Sequence, residues 1–343
     1  KLIMSDFDFI DEYAAEIAPE NLLPDNEAES AINVAFVGFG GGGGKLARSF
    51  LDLGFKKTLL FNTTEKDFQH DIDDQHLVVL PGSDGVAKNI ELGKKVLSEA
   101  SAFVEDALRT RFGKVDWLFV CAGGGGGTGS SAHVLDPVFK RYLETCEATG
   151  KVVYIVSTPT AQEKLNVTVR ENSAILLDSV KSDPHVVLDN ERQLNSFRGK
   201  VGVLGLYPAA NRAFAKMFWQ LLKLATEQSP VQTFDGKDLE RFLSSPGRIL
   251  IGSAIVQPGP DAGVELFQKC IDNSPCPKPS GNSKTGVLLL VLTEAAANDA
   301  DVSGHLEAAT SYVGGRTDTL FSGIYVRDPL PGVVSVLALG GLN

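Results

Sequence analysis

Two glycine-rich segments, each placed directly after an apolar run, constrain the fold of this chain most. GFGGGGGK covers residues 38 to 45, and AGGGGGTGSS covers residues 122 to 131. Each segment leads from a strand-like stretch into residues with helical spacing, so each is predicted to be a strand-to-helix connection. Backbone N–H groups at a helix N-terminus bind anions, and glycine lets phosphate oxygens approach without meeting a Cβ atom. A plain turn needs far less glycine, so the two loops together indicate a polyphosphate ligand.

Apolar segments alternate with helical or polar segments in the first part of the chain. The strand-like segments cover residues 32 to 40, 58 to 64, 76 to 82, 116 to 124 and 151 to 159. Buried strands that alternate with helices predict a parallel sheet in a Rossmann-like α/β domain. A long helix is predicted next, at residues 208 to 227. It has apolar residues on most sides, which is typical of a helix between two domains.

A second, smaller α/β domain is predicted after the long helix. Its strands are expected at residues 248 to 256, 285 to 293, 319 to 328 and 333 to 340, and its helices near 260 to 273 and 302 to 314. A chain of 343 residues is long enough for two cores. We therefore predict an N-terminal extension at residues 1 to 30, a ligand-binding domain at 31 to 206, a central helix at 207 to 229 and a C-terminal domain at 230 to 343. The extension is predicted to contain a short helix followed by a linker.

Composition disfavours several classes of function. The formal charge of −11 disfavours nucleic acid and anionic membrane surfaces as direct partners, because both would repel the chain. The four cysteines and five histidines lack ligand spacing, so neither a disulfide framework nor a metal site is predicted. The longest aliphatic run, residues 287 to 292, is far shorter than the ~20 residues of a membrane span. We expect a cytoplasmic protein that does not insert into a membrane.

Two familiar nucleotide-binding motifs fit the first loop poorly. Gly38, Gly40 and Gly43 satisfy G-x-G-x-x-G, but the second strand ends with Asn62 where a dinucleotide fold normally offers Asp or Glu to the ribose. A Walker A loop would require glycine and Ser or Thr where this chain has Phe39 and Leu46. An oxidoreductase that uses a dinucleotide stays open as the weakest alternative, and the P-loop interpretation fails.

The sequence resembles the FtsZ/tubulin superfamily, and FtsZ more closely than eukaryotic tubulins. GGGGGTGS at residues 123 to 130 resembles the family signature GGGTG[TS]G, and GFGGGGGK resembles the first FtsZ phosphate loop. Further similar segments follow in the family's order: FNTTEKDF (61 to 68), PGSDG (81 to 85), STPTAQE (157 to 163), LDNERQL (188 to 194), YPAAN (207 to 211) and FDGKDLERF (234 to 242). The resemblance spans roughly residues 30 to 343. It implies a GTPase that polymerises head to tail, with GTP or GDP and Mg²⁺ as cofactors.

The resemblance also implies which residues bind the nucleotide. Tyr207 and Asn211 are four residues apart on a predicted helix, so they share a face. In the family these positions hold the guanine together with Asn190, and Glu163 takes the ribose. The complete predicted nucleotide-binding set is Gly40, Gly41, Gly42, Gly43, Gly44, Lys45, Asn62, Gly82, Ser83, Gly85, Gly125, Gly126, Gly127, Thr128, Gly129, Ser130, Pro159, Glu163, Asn190, Tyr207 and Asn211.

Asp235 and Asp238 are the predicted catalytic residues. They lie three apart at the start of a predicted helix, where carboxylates are also common as caps. The long helix places them roughly 30 Å from Asn211 at ~1.5 Å per residue. They are therefore expected to act on the GTP of a neighbouring subunit, so that the active site forms only in a head-to-tail filament. The resemblance implies a role in prokaryotic cell division, and it places peptides that bind membrane-anchoring or regulatory proteins in tails outside this chain.

Several residues depart from the family pattern. Lys45, Leu46, Asp84, Ser131 and Thr233 replace the usual residues. The arginine usually found after the ribose glutamate is Val167, and Arg170, one helical turn later, is a candidate substitute. Asp84, Val167 and Thr233 predict weak hydrolysis. The alternative is a GTP-binding paralogue that does not hydrolyse GTP and that caps or joins another filament.

Overall fold

The computed structural model describes residues 22 to 343. The predicted short helix of the N-terminal extension lies outside the described residues. The part of the extension that is described packs against the body of the protein. Leu23 and Ala28 are buried, and the indole N–H of Trp219 donates a hydrogen bond to the carbonyl oxygen of Glu29 at 2.9 Å.

Ten strands in the described residues form one continuous sheet. They are β1 (Val34–Phe39), β2 (Thr58–Asn62), β3 (Leu77–Val79), β4 (Trp117–Gly123), β5 (Val152–Thr158), β6 (Pro184–Asp189), β7 (Gly247–Val256), β8 (Ser283–Leu292), β9 (Thr317–Val326) and β10 (Val333–Leu342). Their order is β3-β2-β1-β4-β5-β6-β7-β10-β8-β9. Strands β1 to β6 are parallel to their neighbours, and β10 runs antiparallel between β7 and β8. The predicted parallel α/β sheet is confirmed.

Twelve helices are found in the described residues. They are α1 (Gly40–Leu51), α2 (Ile90–Glu99), α3 (Ser101–Phe112), α4 (Gly127–Ser130), α5 (Asp136–Thr145), α6 (Val167–Val180), α7 (Asn190–Asn195), α8 (Leu206–Leu224), α9 (Gly236–Leu243), α10 (Ala262–Asn273), α11 (Glu294–Ala297) and α12 (Ala300–Gly314). The long central helix is present as α8. It buries the face that includes Phe214 and Phe218 and exposes Arg212 and Lys216 on the other, so it is less buried than its composition indicates.

The two apolar cores lie on opposite faces of the sheet. Neighbouring residues of β1 point in opposite directions, so Phe36 enters one core and Val37 the other. The core that contains Phe36 continues beneath α8 into the C-terminal half and includes Phe218 and Leu337. One core therefore runs through both halves of the protein. Helix α8 and the sheet hold the C-terminal half in a fixed position relative to the parallel strands.

The sequence does not predict β6. Its letters, PHVVLD, begin with a proline and include a histidine, so the apolar run is short. The segment LDNERQL, quoted above for its resemblance to the family, is the end of β6 followed by α7. Asp189 caps α7, because its side chain accepts hydrogen bonds from the N–H groups of Glu191 and Arg192.

Candidate functional site

A cavity of about 1110 Å³ opens where β1, β2, β4, β5 and β6 end. In open α/β sheets the ligand lies in the crevice at the carboxyl ends of the strands, and this cavity has that position. Both glycine loops form part of its wall, as do the loops that follow β2 and β5. Its volume is slightly above the range of about 300 to 1,000 Å³ that is typical of small-molecule sites.

Some glycines leave open space in the cavity. A Cβ atom added to Gly41 or Gly126 would meet no other atom within 4 Å, and both residues line the cavity. Gly40, at the start of α1, has a φ of +71°, which favours glycine. The open space beside Gly41 and Gly126 is where phosphate oxygens would approach the backbone.

Other glycines in the same runs serve packing instead. A Cβ atom at Gly43 would lie 2.3 Å from the carbonyl oxygen of Cys121 in β4, and one at Gly129 would lie 2.6 Å from the carbonyl oxygen of Gly123. These glycines let α1 and α4 approach the sheet closely. The length of the glycine runs therefore has two causes, ligand space and close packing.

Most of the predicted nucleotide-binding residues line this one cavity. Those that do are Gly40, Gly41, Gly42, Lys45, Asn62, Gly85, Gly125, Gly126, Gly127, Thr128, Gly129, Pro159, Glu163, Asn190, Tyr207 and Asn211. The others are Gly43, Gly44, Gly82, Ser83 and Ser130, which do not line it. Gly43 faces β4, and Ser130 faces a second cavity on the other side of α4.

The cavity wall also contains polar residues that the sequence did not single out. They are Thr63, Thr64, Lys66, Asp67, Lys88, Asn89, Gln162 and Asn166. The first four lie within the quoted segment FNTTEKDF, so the resemblance located their loop but not the side chains. Lys88 and Asn89 lie three and four residues beyond Gly85, the last residue of PGSDG and of the expected set in this loop.

Positive and negative side chains balance around the cavity. Lys45, Lys66 and Lys88 line it together with Asp67, Asp84 and Glu163. The Lys66 ammonium lies 3.8 Å from the Asp84 carboxylate, and both side chains are at least 80% exposed. Such an exposed pair is weak, so both groups are free to turn toward a ligand or a cation.

The loop after β5 is held from two sides. Glu163 Oε2 accepts a hydrogen bond from the N–H of Thr160 at 2.7 Å. Glu191 Oε2 accepts one from the N–H of Ala161 at 3.0 Å, and Oε1 accepts one from Arg198 at 2.8 Å. The hydrogen bond from the Ala161 N–H, and then the one from Arg198, lowers the pKa of Glu191. The wall that presents Glu163 is therefore anchored to α7.

The loop that follows β3 is held in a strained conformation. Ala87 lines the cavity with a φ of +49°, which is unusual for a residue other than glycine. Its carbonyl oxygen accepts a hydrogen bond from the N–H of Gly127 at 2.9 Å, and Asn172 donates to the carbonyl oxygen of Lys88 at 2.9 Å. This loop is thus joined to α4 and α6.

The two predicted catalytic acids lie far from the cavity. Neither Asp235 nor Asp238 lines it, and α8, a helix of 19 residues, separates the two regions by roughly 28 Å at ~1.5 Å per residue. Both acids form the cap of α9: Asp235 Oδ1 accepts hydrogen bonds from the N–H groups of Lys237 (2.8 Å) and Asp238 (3.0 Å). Asp238 Oδ2 accepts one from the N–H of Asp235 at 3.4 Å. Asp235 is exposed and Asp238 is partly exposed.

Solved structures with a similar fold include two protofilaments and a dimer. CetZ2 from Haloferax volcanii, in a GTPγS-bound protofilament, is 22% identical over 91% of this chain and 94% of that chain, with a TM-score of 0.72. TubZ from Bacillus thuringiensis serovar israelensis, in a GTPγS-form protofilament, is 17% identical over 92% and 89%, with a TM-score of 0.77. FtsZ from M. jannaschii, an empty dimer, is 19% identical over 99% and 93%, with a TM-score of 0.66.

This chain has the FtsZ/tubulin fold. The fold expected from the sequence resemblance is therefore confirmed. No protein-family model matches the sequence. At these low identities the likeness shows the fold alone.

One expected substitution within the FtsZ/tubulin fold is wrong. Arg170 does not line the cavity and instead donates a hydrogen bond to the carbonyl oxygen of Lys164 at 3.2 Å. It therefore does not replace the arginine that the family has at the position of Val167, which is itself 52% exposed. Asn166 and Gln162 offer neutral side chains at this wall instead.

Thr233 and Ser131 have local structural roles. The Thr233 hydroxyl accepts a hydrogen bond from the N–H of Ser229 at 3.1 Å, within the segment that joins α8 to α9. The buried Ser131 hydroxyl donates to the carbonyl oxygens of Gly127 (2.7 Å) and Ile90 (3.0 Å). Neither side chain lines the cavity.

No helix among residues 22 to 343 has both the length and the apolar character required to cross a membrane.

Proposed function

We propose that this protein binds and hydrolyses GTP and assembles head to tail into protofilaments. The observation that carries the proposal is the position of two features at opposite ends of α8. A cavity with two glycine loops lies at one end, and a pair of exposed or partly exposed carboxylates lies at the other. A site divided in this way is complete only when a second copy supplies the acids, and a head-to-tail contact propagates as a filament.

The chemistry we assign is positioning and electrostatic stabilisation. Backbone N–H groups of α1 and α4, with Lys45, Lys66 and Lys88, would hold the phosphates. Tyr207, Asn190 and Asn211 would hold the guanine, and Glu163 the ribose. Asp235 and Asp238 of the neighbouring copy would polarise the attacking water.

The cavity also suits Mg²⁺, which prefers oxygen ligands. Asp84 and Asp67 offer exposed carboxylates at its wall, and Thr63 and Thr128 offer hydroxyls. We assign Asp84 to the ion, and its loop also contributes Gly85 and Ala87 to the cavity wall. Bound Mg²⁺ would neutralise part of the charge on the phosphates.

Exposed apolar side chains at the cavity rim support self-assembly. Leu165 is 80% exposed, and Val203 and Leu204 are 80% and 91% exposed. They flank the cavity residues Glu163 and Tyr207 in the chain. Large apolar side chains grouped on a surface mark interaction sites. Val231, near the acids at the far end, is 60% exposed and is the apolar group we assign to the opposite side of the contact.

We further propose a cytoskeletal role in the cytoplasm, with cell division as the task that the resemblance implies. Proteins that anchor the filament to a membrane or regulate it are further partners that the resemblance implies. The structures of CetZ2 and TubZ in protofilaments support self-assembly as the common property.

The first test is phosphate release from GTP against protein concentration, with sedimentation in GTP or GDP alongside. We expect turnover to begin above a threshold concentration and pelleting to depend on GTP. Turnover per molecule that does not depend on protein concentration contradicts the divided active site.

The second candidate function is a GTP-binding paralogue that does not hydrolyse GTP. The capping box of α9 favours it, because Asp235 and Asp238 already have a structural role there. Tight GTP binding without turnover at any concentration would select this function, and the absence of GTP binding would contradict both.

A further inference from the structure

Three side chains that suit a metal ion converge outside the candidate nucleotide site. His133 lies in the short turn after α4, Asp136 is the first residue of α5, and Asp183 directly precedes β6. One ligand atom from each residue lies within 4.8 Å of the other two. Sequence spacing predicts no metal ligands because Asp183 is distant in the chain, and only the pairing of β5 with β6 brings it close.

Hydrogen bonds hold the cluster in place. The hydroxyl of the buried Tyr154 donates to Asp136 Oδ1 at 2.7 Å, and Asp136 is itself buried. His133 Nε2 lies 2.9 Å from Asp183 Oδ2. Carboxylates that bind metals are commonly oriented by a further hydrogen bond of the kind that Tyr154 makes. The ligand atoms of the three side chains are therefore already oriented in the absence of an ion.

The cluster already attracts a positive charge. The Lys140 ammonium lies 2.6 Å from Asp136 Oδ2 and 3.5 Å from Asp183 Oδ1. The Lys140 side chain is 53% exposed, whereas those of Asp136 and Asp183 are 11% and 19% exposed. Lys140 can thus turn into solvent, while the two carboxylates stay together. Two carboxylates without a cation between them repel each other.

A second cavity borders the cluster at His133, whereas Asp136 and Asp183 do not line it. It has a volume of about 480 Å³, and His133 lines it together with Lys94, Ser130 and Asp178. Helix α4 separates it from the nucleotide cavity, because Thr128 and Gly129 line the first cavity and Ser130 lines the second.

We propose that His133, Asp136 and Asp183 bind a Zn²⁺ ion and that Lys140 competes with the ion as a tethered cation. Imidazole nitrogen and carboxylate oxygen are both ligands of Zn²⁺, whereas Mg²⁺ prefers oxygen alone. The bound ion joins the residues after α4 to the loop before β6. This site does not depend on the proposed GTPase activity.

The test is a titration of the full chain with Co²⁺ and Zn²⁺. Co²⁺ binding is followed by visible absorption and Zn²⁺ binding by calorimetry. We expect one ion per chain. His133→Ala should weaken binding by about tenfold or more, as loss of a ligand does. Lys140→Met keeps the aliphatic stem and removes the competing charge, so it should strengthen binding by about tenfold, the order expected for a charge at this distance.

His70→Ala is the matched control, because it removes an exposed histidine elsewhere. It should leave the affinity unchanged. Misfolding cannot imitate the pattern, since the Lys140 and His133 variants shift affinity in opposite directions. The proposal is overturned if neither wild type nor Lys140→Met binds one ion, if His133→Ala binds as tightly as wild type, or if Lys140→Met binds more weakly than wild type.

Discussion

The Tyr207 hydroxyl lies 3.5 Å from Oε1 of Glu163, and this contact joins the first turn of α8 to the loop after β5. Both side chains line the cavity. Burial, followed by the negative charge of Glu163, raises the pKa of Tyr207 to about 12. Tyr207 therefore keeps its proton at neutral pH and offers a neutral ring to a base.

Tyr207→Ala should weaken GTP binding, because the variant loses the ring on which guanine would stack. Stacking of a base on an aromatic ring contributes about 1 to 3 kcal/mol, so the affinity should fall by about 5-fold to 100-fold or more. Tyr207→Phe retains the ring and should keep most of the affinity. Calorimetry with GTP measures both variants, and an equal loss in the two would show that the hydroxyl rather than the ring holds the nucleotide.

The raised pKa of Tyr207 also predicts a dependence of stability on pH. The folded protein retains a proton that the unfolded chain releases near pH 10. The contribution of this hydroxyl to stability is therefore complete below about pH 10 and is lost as the pH rises toward about 12. Thermal unfolding should show a larger loss of stability for wild type than for Tyr207→Phe over this range. Tyr142 and Tyr154 also have raised pKa values, but they are present in both proteins and cancel in the comparison.

A matched pair of glycines in α1 tests the phosphate site. Gly41 and Gly44 both have open space beside them, but only Gly41 lines the cavity. Gly41→Leu should therefore block the space for phosphate and lower GTP affinity by about 100-fold, the loss expected when several hydrogen bonds to an anion cannot form. Gly44→Leu should change affinity little. Both variants should be as thermally stable as wild type, because leucine is the better helix former by up to about 1 kcal/mol.

The sequence indicates both glycine loops of the cavity wall but not the role of each glycine. Gly41 and Gly43 are indistinguishable as letters in a run of five. The packing of α1 against β4 decides that Gly43 faces Cys121 and Gly41 faces the cavity. The sequence is equally uninformative about Arg170. It lies one helical turn beyond Val167, the position where the family has an arginine, but its position in the sequence does not show where its side chain lies. It donates a hydrogen bond to the carbonyl oxygen of Lys164 and does not line the cavity.

The elements were easier to predict where the chain repeats a pattern. Strands β1, β4 and β5 are long apolar runs that end in glycine or polar residues, and parallel buried strands have this character. Strand β6 starts at Pro184 and pairs with β7 at only a few residues. Its strand conformation depends on neighbours that are distant in sequence, so the local pattern does not indicate it.

Asparagine substitutions separate the capping and catalytic roles of the two acids. Asn is as good a cap as Asp, so Asp235→Asn and Asp238→Asn should keep α9 intact and remove one negative charge each. We expect GTP turnover to fall by about 100-fold or more, as when a group that stabilises a transition state is lost, while GTP-dependent pelleting persists. Glu240→Gln, in the same helix, is the control and should retain turnover. Full activity in both asparagine variants would assign the acids to capping alone.

Asp84→Asn should make the affinity for GTP less dependent on Mg²⁺. In wild type the Asp84 carboxylate would repel the terminal phosphate unless Mg²⁺ lies between them. The variant should therefore bind GTP more tightly than wild type in EDTA, and added Mg²⁺ should improve its affinity less. Calorimetry at several Mg²⁺ concentrations measures this coupling. Asp67→Asn is the matched control, and an identical effect in both variants would indicate the net charge of the cavity rather than a contact made by Asp84.

Leu204→Ser tests the apolar rim as part of the subunit contact. Leu204 is 91% exposed in the single chain, so the substitution removes no packing within the subunit and should leave its thermal stability unchanged. Burying a leucine against a second copy contributes about 1.5 to 3 kcal/mol, so the threshold concentration for assembly should rise by about tenfold or more.

Val264→Ser on α10 is the control for Leu204→Ser, because Val264 is also exposed but lies away from the cavity. Sedimentation in GTP gives the threshold for each variant, and calorimetry below that threshold gives the GTP affinity of single chains, which should not change. A similar rise in both variants would point to general surface hydrophobicity. An unchanged threshold in Leu204→Ser would show that the subunit contact does not include this rim. Loss of GTP binding by the single chain would instead place Leu204 in the nucleotide site.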